Sequence, residues 1–132
     1  MKLLLDTHAI LWALFDPPKL GRQATEKILK VDNEVFVSVI SFWEISLKYA
    51  LGKLELAGVG PEELPEYAKK MGLDILTLEP GEAASFHRLP RLGHKDPFDR
   101  LIVWQAIHRG LILVTRDREL AQYGRFGLVT LW

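Results

Sequence analysis

Five acidic residues of this sequence stand where predicted strands end or predicted helices begin, and a metal site could use all of them. They are Asp6, Glu44, Asp96, Asp99 and Asp117. Two carboxylates about 4 Å apart repel by about 4 kcal/mol at an effective dielectric of about 20, so a cluster of them would protonate, move apart or bind a cation. Hard oxygen ligands suit Mg²⁺ or Mn²⁺. The acids therefore form a candidate divalent-metal site, provided that the fold brings them together.

Each acid also has a structural interpretation, because many helices begin at the carboxyl edge of an α/β sheet. Asp6 can cap a first helix, and Asp117 can cap a short helix over "RELAQY". Ser41 and Glu44 fit the S-x-x-E capping box at the start of "SFWEISLKYALGK". For these residues the pattern alone leaves both interpretations open.

The stretch "HKDPFDRLIVWQ", residues 94–105, places two aspartates before a mostly apolar run. Asp96 is a good N-cap, and Pro97 suits the first helical position. Asp99 is then the third helical residue, where an acid meets the positive end of the helix dipole. Because Asp96 already caps this helix, Asp99 is not needed as a cap and is the sharper candidate for chemistry.

Short apolar segments alternate with helical patterns along the chain, which predicts a parallel, three-layer α/β sheet with right-handed crossovers. The segments "LLL" and "LILV" are apolar on both faces, so we place strands 1 and 4 at the centre of the sheet. If these two strands are neighbours, Asp6, Asp99 and Asp117 should face one another beyond their carboxyl ends. The five predicted strands are Lys2–Leu5, Val35–Val39, Asp74–Leu78, Leu111–Thr115 and Leu128–Leu131.

Composition excludes several classes of site and leaves others open. The 17 basic and 17 acidic residues give no global basic field, so nucleic-acid binding would need a local cluster. The absence of cysteine and of any i, i+4 histidine pair argues against zinc. Neither a serine elbow nor a glycine-rich phosphate loop is present. Because Asp6 and His8 interrupt the apolar start, we expect no signal peptide and a cytoplasmic protein.

The segments "LLLDTHAILW", "SFWEISLKYALGKL", "HKDPFDRLIVWQA" and "LVTRD" together resemble the PIN-domain ribonucleases, and specifically the VapC-type toxins of type II toxin–antitoxin pairs. The motifs occur in the family's order and extend over the chain. The resemblance implies a single PIN-like domain over residues 1–132, with a five-stranded parallel sheet flanked by helices. It also implies a metal-dependent endoribonuclease that acts on single-stranded or looped RNA, a VapB-type antitoxin as partner, and a homodimer.

The resemblance also implies roles for particular residues. Asp6, Asp99 and Asp117 would hold one or two Mg²⁺ or Mn²⁺ ions, and Glu44 would bind metal through water or orient the nucleophile. Asp96 would be an accessory metal-site acid. The catalytic set is thus Asp6, Glu44, Asp99 and Asp117, and Thr7 and Thr115 match hydroxyl positions near these acids.

Basic residues near the acids are candidates for RNA phosphate contacts. They are Lys48, Lys53, Lys95, Arg100, Arg116 and Arg118. Lys48 could instead form an i, i+4 pair with Glu44, and the two late arginines could simply be solvated. His8 and His94 lie next to the acids and could touch substrate. Trp12, Phe15, Trp43 and Trp104 are not assigned to RNA, because aromatic residues at helical spacing are more often core or interface.

Two alternatives belong to other functional classes. A phosphoacceptor receiver domain also gathers acids and magnesium at the carboxyl edge of a parallel sheet. Such domains usually carry paired acids after strand 1 and a lysine after the last strand, whereas here Asp6 stands alone and no lysine accompanies "LVTLW". A noncatalytic RNA- or protein-binding PIN-like module would use the acids only as caps. Metal titration would separate that module from a metal-dependent enzyme.

Overall fold

The computed structural model of the protein describes residues 1–132 and is built around a five-stranded sheet. The strands are β1 (Lys2–Leu5), β2 (Glu34–Ser38), β3 (Asp74–Leu76), β4 (Ile112–Val114) and β5 (Val129–Leu131). All neighbouring pairs are parallel, in the order β3-β2-β1-β4-β5. The prediction of a parallel sheet is confirmed, and strands 1 and 4 are neighbours in its interior. The last three strands are shorter than predicted, and β2 starts and ends one residue earlier.

Helical segments connect the strands. The α-helices are α1 (Thr7–Phe15), α2 (Arg22–Leu29), α3 (Val39–Ala50), α4 (Leu64–Lys70), α5 (Pro80–Ser85) and α6 (Pro97–Arg109). Short 3₁₀ segments cover Pro17–Lys19, Pro61–Glu63, Phe86–Arg88 and Arg118–Phe126. None of these helices combines the length and apolar character that a membrane crossing needs.

The central strand β1 supplies side chains to both faces of the sheet. Leu3 and Leu5 are fully buried in one apolar cluster, which α1, α2 and α4 cover. Leu4 is buried in a second cluster with Ile102 of α6 and Leu113 of β4. Burial on both faces is the reason that this strand reads as a continuous apolar run. The helices therefore form two layers with the sheet between them, as predicted.

The start of α3 differs from the prediction. The helix begins at Val39, and its N-cap is Ser38, whose hydroxyl accepts a hydrogen bond from the Ile40 backbone N–H at 3.1 Å. The chain passes directly from β2 into the helix, so Ser41 is already inside it and fully buried. The Ser41–Glu44 capping box is therefore wrong, and Glu44 lies deeper in the helix than predicted.

A buried polar network ties α6 to the ends of β2 and β3. Gln105 is fully buried; its Oε1 accepts from the Ser38 hydroxyl at 2.5 Å, and its Nε2 donates to the Thr77 carbonyl at 3.2 Å. Arg109 donates to the same carbonyl at 2.8 Å and pairs with Glu82 at 2.6 Å. Buried polar groups that are satisfied in this way hold an element in one position. The network fixes the helix that carries Asp96 and Asp99 at its start.

The residue after β5 packs tightly against the start of α2. A Cβ atom at Gly21 would lie 2.6 Å from the backbone carbonyl carbon of Trp132 and 2.6 Å from its indole Cδ1. The ring of Trp132 in turn contacts that of Trp12, with centroids 5.6 Å apart. Gly21 therefore allows the close approach that places Trp132 behind α1.

We expect Gly21→Ala and Gly21→Ser both to lower the free energy of unfolding by about 1–3 kcal/mol, because either Cβ overpacks against Trp132. Serine is a better N-cap than glycine, so a lower free energy of unfolding for Gly21→Ser would result from the clash with Trp132 and not from a weaker cap. Gly81→Ala is the control, since no atom lies within 4 Å of its Cβ position. Urea unfolding of the three variants measures the difference; an unchanged Gly21→Ser would contradict the packing interpretation.

Candidate metal centre

Asp6 occupies the first position after β1, at the carboxyl edge of the sheet. Its backbone N–H donates to the Val114 carbonyl of β4 at 3.1 Å. Its Oδ1 caps α1 by accepting from the Ala9 N–H at 2.8 Å. Burial raises the pKa of this carboxyl to about 6, against the opposing effects of the nearby Thr115 hydroxyl and the Ala9 N–H. A proton or a cation is therefore favoured at Asp6.

The two aspartates at the start of α6 have different environments. Asp96 is the N-cap, and its Oδ1 accepts from the backbone N–H groups of Phe98 at 2.8 Å and Asp99 at 3.3 Å. The Asp99 carboxylate caps nothing; its Oδ2 lies 3.0 Å from His94 Nε2. Burial and the charge of Asp96 raise the pKa of Asp99, although the hydrogen bond with His94 opposes this. The structure thus assigns the capping of α6 to Asp96 and leaves Asp99 directed at the site.

Asp117 follows β4 and divides its oxygens in the same way as Asp6. Oδ1 caps the 3₁₀ segment by accepting from the Glu119 N–H at 2.9 Å. The backbone N–H of Asp117 donates to the Thr115 hydroxyl at 3.1 Å, so Thr115 helps to set its position. Oδ2 lies 3.6 Å from His94 Nδ1. The second oxygen of Asp117 is left for the site.

His94 lies between the carboxylates of Asp99 and Asp117, and its side chain is 13% exposed. Burial lowers the pKa of His94, but the hydrogen bond to Asp99 and the charges of Asp99 and Asp117 outweigh it and leave the pKa above its ordinary value. The sequence indicated only that His94 could touch substrate, and not that it lies between two of the carboxylates. The signal was its place two residues before Asp96 in the same motif.

Two groups of side chains present ligand atoms close enough to share a cation. One ligand atom from each of His94, Asp99 and Asp117 lies within 4.8 Å of the others, and the same holds for Glu44, Asp96 and Asp99. Asp99 belongs to both groups. Carboxylate oxygens with one imidazole nitrogen fit a hard or borderline divalent ion such as Mg²⁺ or Mn²⁺. Asp6 belongs to neither group, but it lines the same cavity of about 450 Å³ as Asp99 and Asp117.

Glu44 lies on α3 with 2% of its surface exposed and has its own partners. The Thr7 hydroxyl donates to Glu44 Oε1 at 2.6 Å and also lies 3.1 Å from the Ser41 hydroxyl. Lys48, one turn along the helix, forms an ion pair with Glu44 Oε2, so the i, i+4 alternative for this lysine is observed. Burial lowers the pKa of Lys48, but hydrogen bonding and the charge of Glu44 outweigh it and raise the pKa. Ser41 is a further site-supporting residue that the sequence assigned only to a cap.

The other predicted basic residues differ in their relation to the acids. Lys53 lines a cavity of about 240 Å³ together with Glu44 and Lys48. Arg116 lines the acidic cavity and, with Arg118, a neighbouring one of about 820 Å³. Lys95 is exposed beside the motif.

Arg100 is not brought to the acids. Its guanidinium donates to the Leu89 carbonyl at 3.0 Å and lies 4.8 Å from the ring centroid of Phe86. These contacts tie Arg100 to the segment that precedes α6. They make it a packing residue and a poor candidate for RNA contact.

Comparisons with known proteins agree with this geometry. A family model for the PIN domain matches residues 3–126. The chain is 33% identical to Ribonuclease VapC22 of Mycobacterium tuberculosis (strain ATCC 25618 / H37Rv), over 98% of this chain and 97% of that protein. It is similar in fold to a chain of VapBC2 from Rickettsia felis bound to a promoter DNA fragment, with a TM-score of 0.67 and 19% identity over 99% of this chain and 98% of that one. A toxin–antitoxin complex from Klebsiella pneumoniae gives a TM-score of 0.53 and 22% identity over 90% of this chain and 89% of that one.

The raised pKa of Asp6 predicts how stability depends on pH without metal. Because folding raises this pKa from 3.8 to about 6, ionised Asp6 disfavours the fold. The protonated form of Asp6 therefore stabilises the fold. This stabilisation is complete below about pH 4 and is lost as the pH rises through about 6. Asp6→Asn keeps a capping oxygen and removes the titration. In EDTA, we expect the free energy of unfolding of this variant, relative to the unsubstituted protein, to rise by about 3 kcal/mol between pH 4 and 7.

Glu82→Gln is a control of opposite sign. The hydrogen bond from Arg109 lowers the pKa of Glu82, so its stabilising effect is present at neutral pH and is lost as the pH falls. The free energy of unfolding of Glu82→Gln should therefore lie furthest below that of the unsubstituted protein at neutral pH. Denaturant unfolding across the pH range measures both variants. A pH-independent difference for Asp6→Asn would refute the burial argument.

Proposed function

The chain belongs to the PIN-domain family, and on that premise we propose that it is a metal-dependent endoribonuclease that hydrolyses phosphodiester bonds of single-stranded or looped RNA. We take residues 1–132 as a single PIN-like domain. The identity with Ribonuclease VapC22 over nearly the whole chain supports ribonuclease activity. The observation that carries the proposal is Asp99, which caps nothing and belongs to both groups of potential metal ligands.

In this proposal the acids hold Mg²⁺ or Mn²⁺, as one or two ions. Asp99 would provide a ligand together with His94 and Asp117 in one group and together with Glu44 and Asp96 in the other. Asp6 would contribute from the lining of the cavity that it shares with Asp99 and Asp117. A divalent ion bound there lowers the pKa of water and stabilises charge on a scissile phosphate.

The chain's own residues prepare the site in several ways. Backbone N–H groups at the starts of α1 and of the 3₁₀ segment hold Asp6 and Asp117 through their Oδ1 atoms. Thr7 and Lys48 hold Glu44, so this carboxylate keeps a single orientation beside the ligands. The ammonium of Lys48 also offsets the negative charge of Glu44.

The strand order disfavours the receiver-domain alternative. Flavodoxin-like receiver domains have the order 2-1-3-4-5, whereas this sheet has 3-2-1-4-5. In the observed order the switch point lies between β1 and β4, and a single aspartate, Asp6 or Asp117, follows each of these strands. A noncatalytic module is disfavoured because Asp99 is half-buried and has no capping function.

We further propose that the protein is the toxin of a cytoplasmic toxin–antitoxin pair. The toxin–antitoxin complex among its structural relatives supports this role. Exposed apolar side chains on α3 and at its C-cap supply a surface for protein contact: Trp43, Leu47 and the C-cap Leu51 are 58%, 41% and 59% exposed. A VapB-type antitoxin would inhibit the site most directly with an arginine that pairs with carboxylates. A homodimer is part of this proposal.

Asp99→Asn tests the metal role. In EDTA we expect the variant to be as stable as the unsubstituted protein or more stable, because burial and the Asp96 charge disfavour ionised Asp99. Cleavage of single-stranded RNA should fall by about 100-fold or more, and the rise in melting temperature that Mn²⁺ gives should largely disappear. Thermal melts with EDTA and with Mn²⁺, paired with a cleavage assay, measure both effects.

Asp74→Asn is the matched control, because this exposed aspartate lies at the amino end of β3. It should leave melting and cleavage unchanged. Asp96→Asn should fold normally, since asparagine caps helices about as well as aspartate. If Asp99→Asn melted earlier in EDTA and still cut RNA, Asp99 would be a structural residue and the metal proposal would be wrong.

The antitoxin proposal predicts that the protein, purified as a complex with its native partner, is inactive on RNA until the partner is removed. An arginine of the partner should then be protected from chemical modification in the complex, because it pairs with Asp99 or Asp117. Mass spectrometry after arginine modification measures this protection. A tight complex that still cleaves RNA and leaves every arginine reactive would contradict the proposed inhibition.

A further inference from the structure

The acidic cavity has a second wall, which the proposed metal chemistry does not use. His8 and Trp12 line it together with Asp99 and Asp117. The two rings lie one helical turn apart on α1, with centroids 5.5 Å apart and planes at 35°. His8 is exposed and Trp12 is half-buried, so both can be reached from solvent. An aromatic surface therefore borders the place where a phosphate would react.

The aromatic wall is held from behind. Trp132 packs its ring against Trp12 at 61°, with centroids 5.6 Å apart. The close approach at Gly21 leaves Trp132 little room to move. A side chain held in this way loses little conformational freedom when a ligand binds to it. Trp12 is thus prepared as a rigid platform.

Arg116 borders the same cavity as Trp12 and the three carboxylates of Asp6, Asp99 and Asp117. The residue is exposed, and its guanidinium lies over the Trp12 ring, 5.8 Å from the ring centroid. Arg116 forms no ion pair, because the ion pairs of the structure involve other basic residues. It also lines the larger neighbouring cavity with Arg118. A guanidinium without a carboxylate partner at this point can bind a phosphate next to the reacting one.

We propose that His8, Trp12 and Arg116 form a subsite for one nucleotide of single-stranded RNA, adjacent to the scissile phosphate. The base takes the place of the Arg116 guanidinium over the Trp12 ring, beside His8, and the displaced guanidinium binds the phosphate of the same nucleotide. This inference rests on the proposed ribonuclease function and assigns its substrate contact. Aromatic stacking accepts unpaired bases and excludes bases held in a duplex, so the subsite selects single strands.

The subsite is tested by the binding of a fluorescein-labelled, single-stranded RNA hexamer. Binding is measured by fluorescence anisotropy in the presence of Ca²⁺. Trp12→Leu should raise the Kd by about 5- to 150-fold, the range that loss of one stacked base produces. Trp12→Phe keeps an aromatic ring and should retain most of the affinity. Tyr67→Leu is the matched control, because Tyr67 is 40% exposed on α4, away from the acids. Its Kd should not change.

The salt dependence of RNA binding by Arg116→Met tests the phosphate contact, because a purely structural role of Arg116 would leave that salt dependence unchanged. Loss of one phosphate contact should lower the slope of log Kd against log salt concentration by about 0.7 for a single strand. Melting curves check that each variant is folded. If Trp12→Leu does not fold, Trp12→Phe still tests the subsite. A Kd for Trp12→Leu equal to that of the unsubstituted protein would overturn the subsite. The subsite would also be overturned if Trp12→Leu bound RNA normally but no longer formed a complex with a partner protein. In that case His8 and Trp12 would belong to a protein interface.

The subsite and the proposed function fail in different ways. If the unsubstituted protein bound the hexamer through Trp12 but did not cut it with Mn²⁺, the ribonuclease proposal would fail and the subsite would stand. If cleavage were normal and Trp12→Leu left the Kd and the cleavage rate unchanged, the subsite would fail and the ribonuclease proposal would stand.

Discussion

Repulsion among carboxylates at one edge of the sheet is the constraint on which the rest of this structure depends. The parallel pairing of β1 with β4 brings the ends of these strands together, and an aspartate follows each of them. The start of α6 adds two more aspartates. The negative charge at this edge must be compensated, because carboxylates whose oxygens lie within 4.8 Å of one another disfavour each other's ionisation. Burial is the main cause of the raised pKa values of Asp6 and Asp99, and the charge of a neighbouring carboxylate, Asp99 or Asp96 respectively, raises each of them further.

Compensation comes first from the helix starts that the same edge provides. Asp6, Asp96 and Asp117 each accept a backbone N–H through Oδ1, so the positive ends of three helical segments face the cluster. Capping and metal binding are therefore compatible, because one oxygen of the carboxylate does each task. Asp99 lacks such a partner and interacts with His94 instead. The acid with the least structural use is also the one that both ligand groups share.

The sequence predicted most of the fold because apolar runs and helix stops are local signals. It located the five strands and placed β1 and β4 at the centre of the sheet, where their adjacency brings Asp6, Asp99 and Asp117 to one cavity. It misjudged the start of α3, because Ser38 and Ser41 are equally good caps and only the end of β2 decides between them. Arg100 was assigned to RNA by its neighbourhood in the chain, but its direction depends on tertiary packing against Leu89 and Phe86. The position of His94 depends on how the segment before α6 folds back on Asp117, which no local pattern encodes.

The arrangement of charge around the cavity also limits how RNA can approach. Without a metal ion the carboxylates repel a phosphate, and the nearest cation on α3, Lys48, is already paired with Glu44. Attraction at the edge of the cavity then falls to the unpaired Arg116 and to the uncharged surface of Trp12. Stacking has no charge dependence, whereas the phosphate contact weakens with salt. A nucleotide could therefore be held beside the acids while their negative charges still repel the phosphate that must react, and a divalent ion held by Asp99 and its neighbours would remove that repulsion.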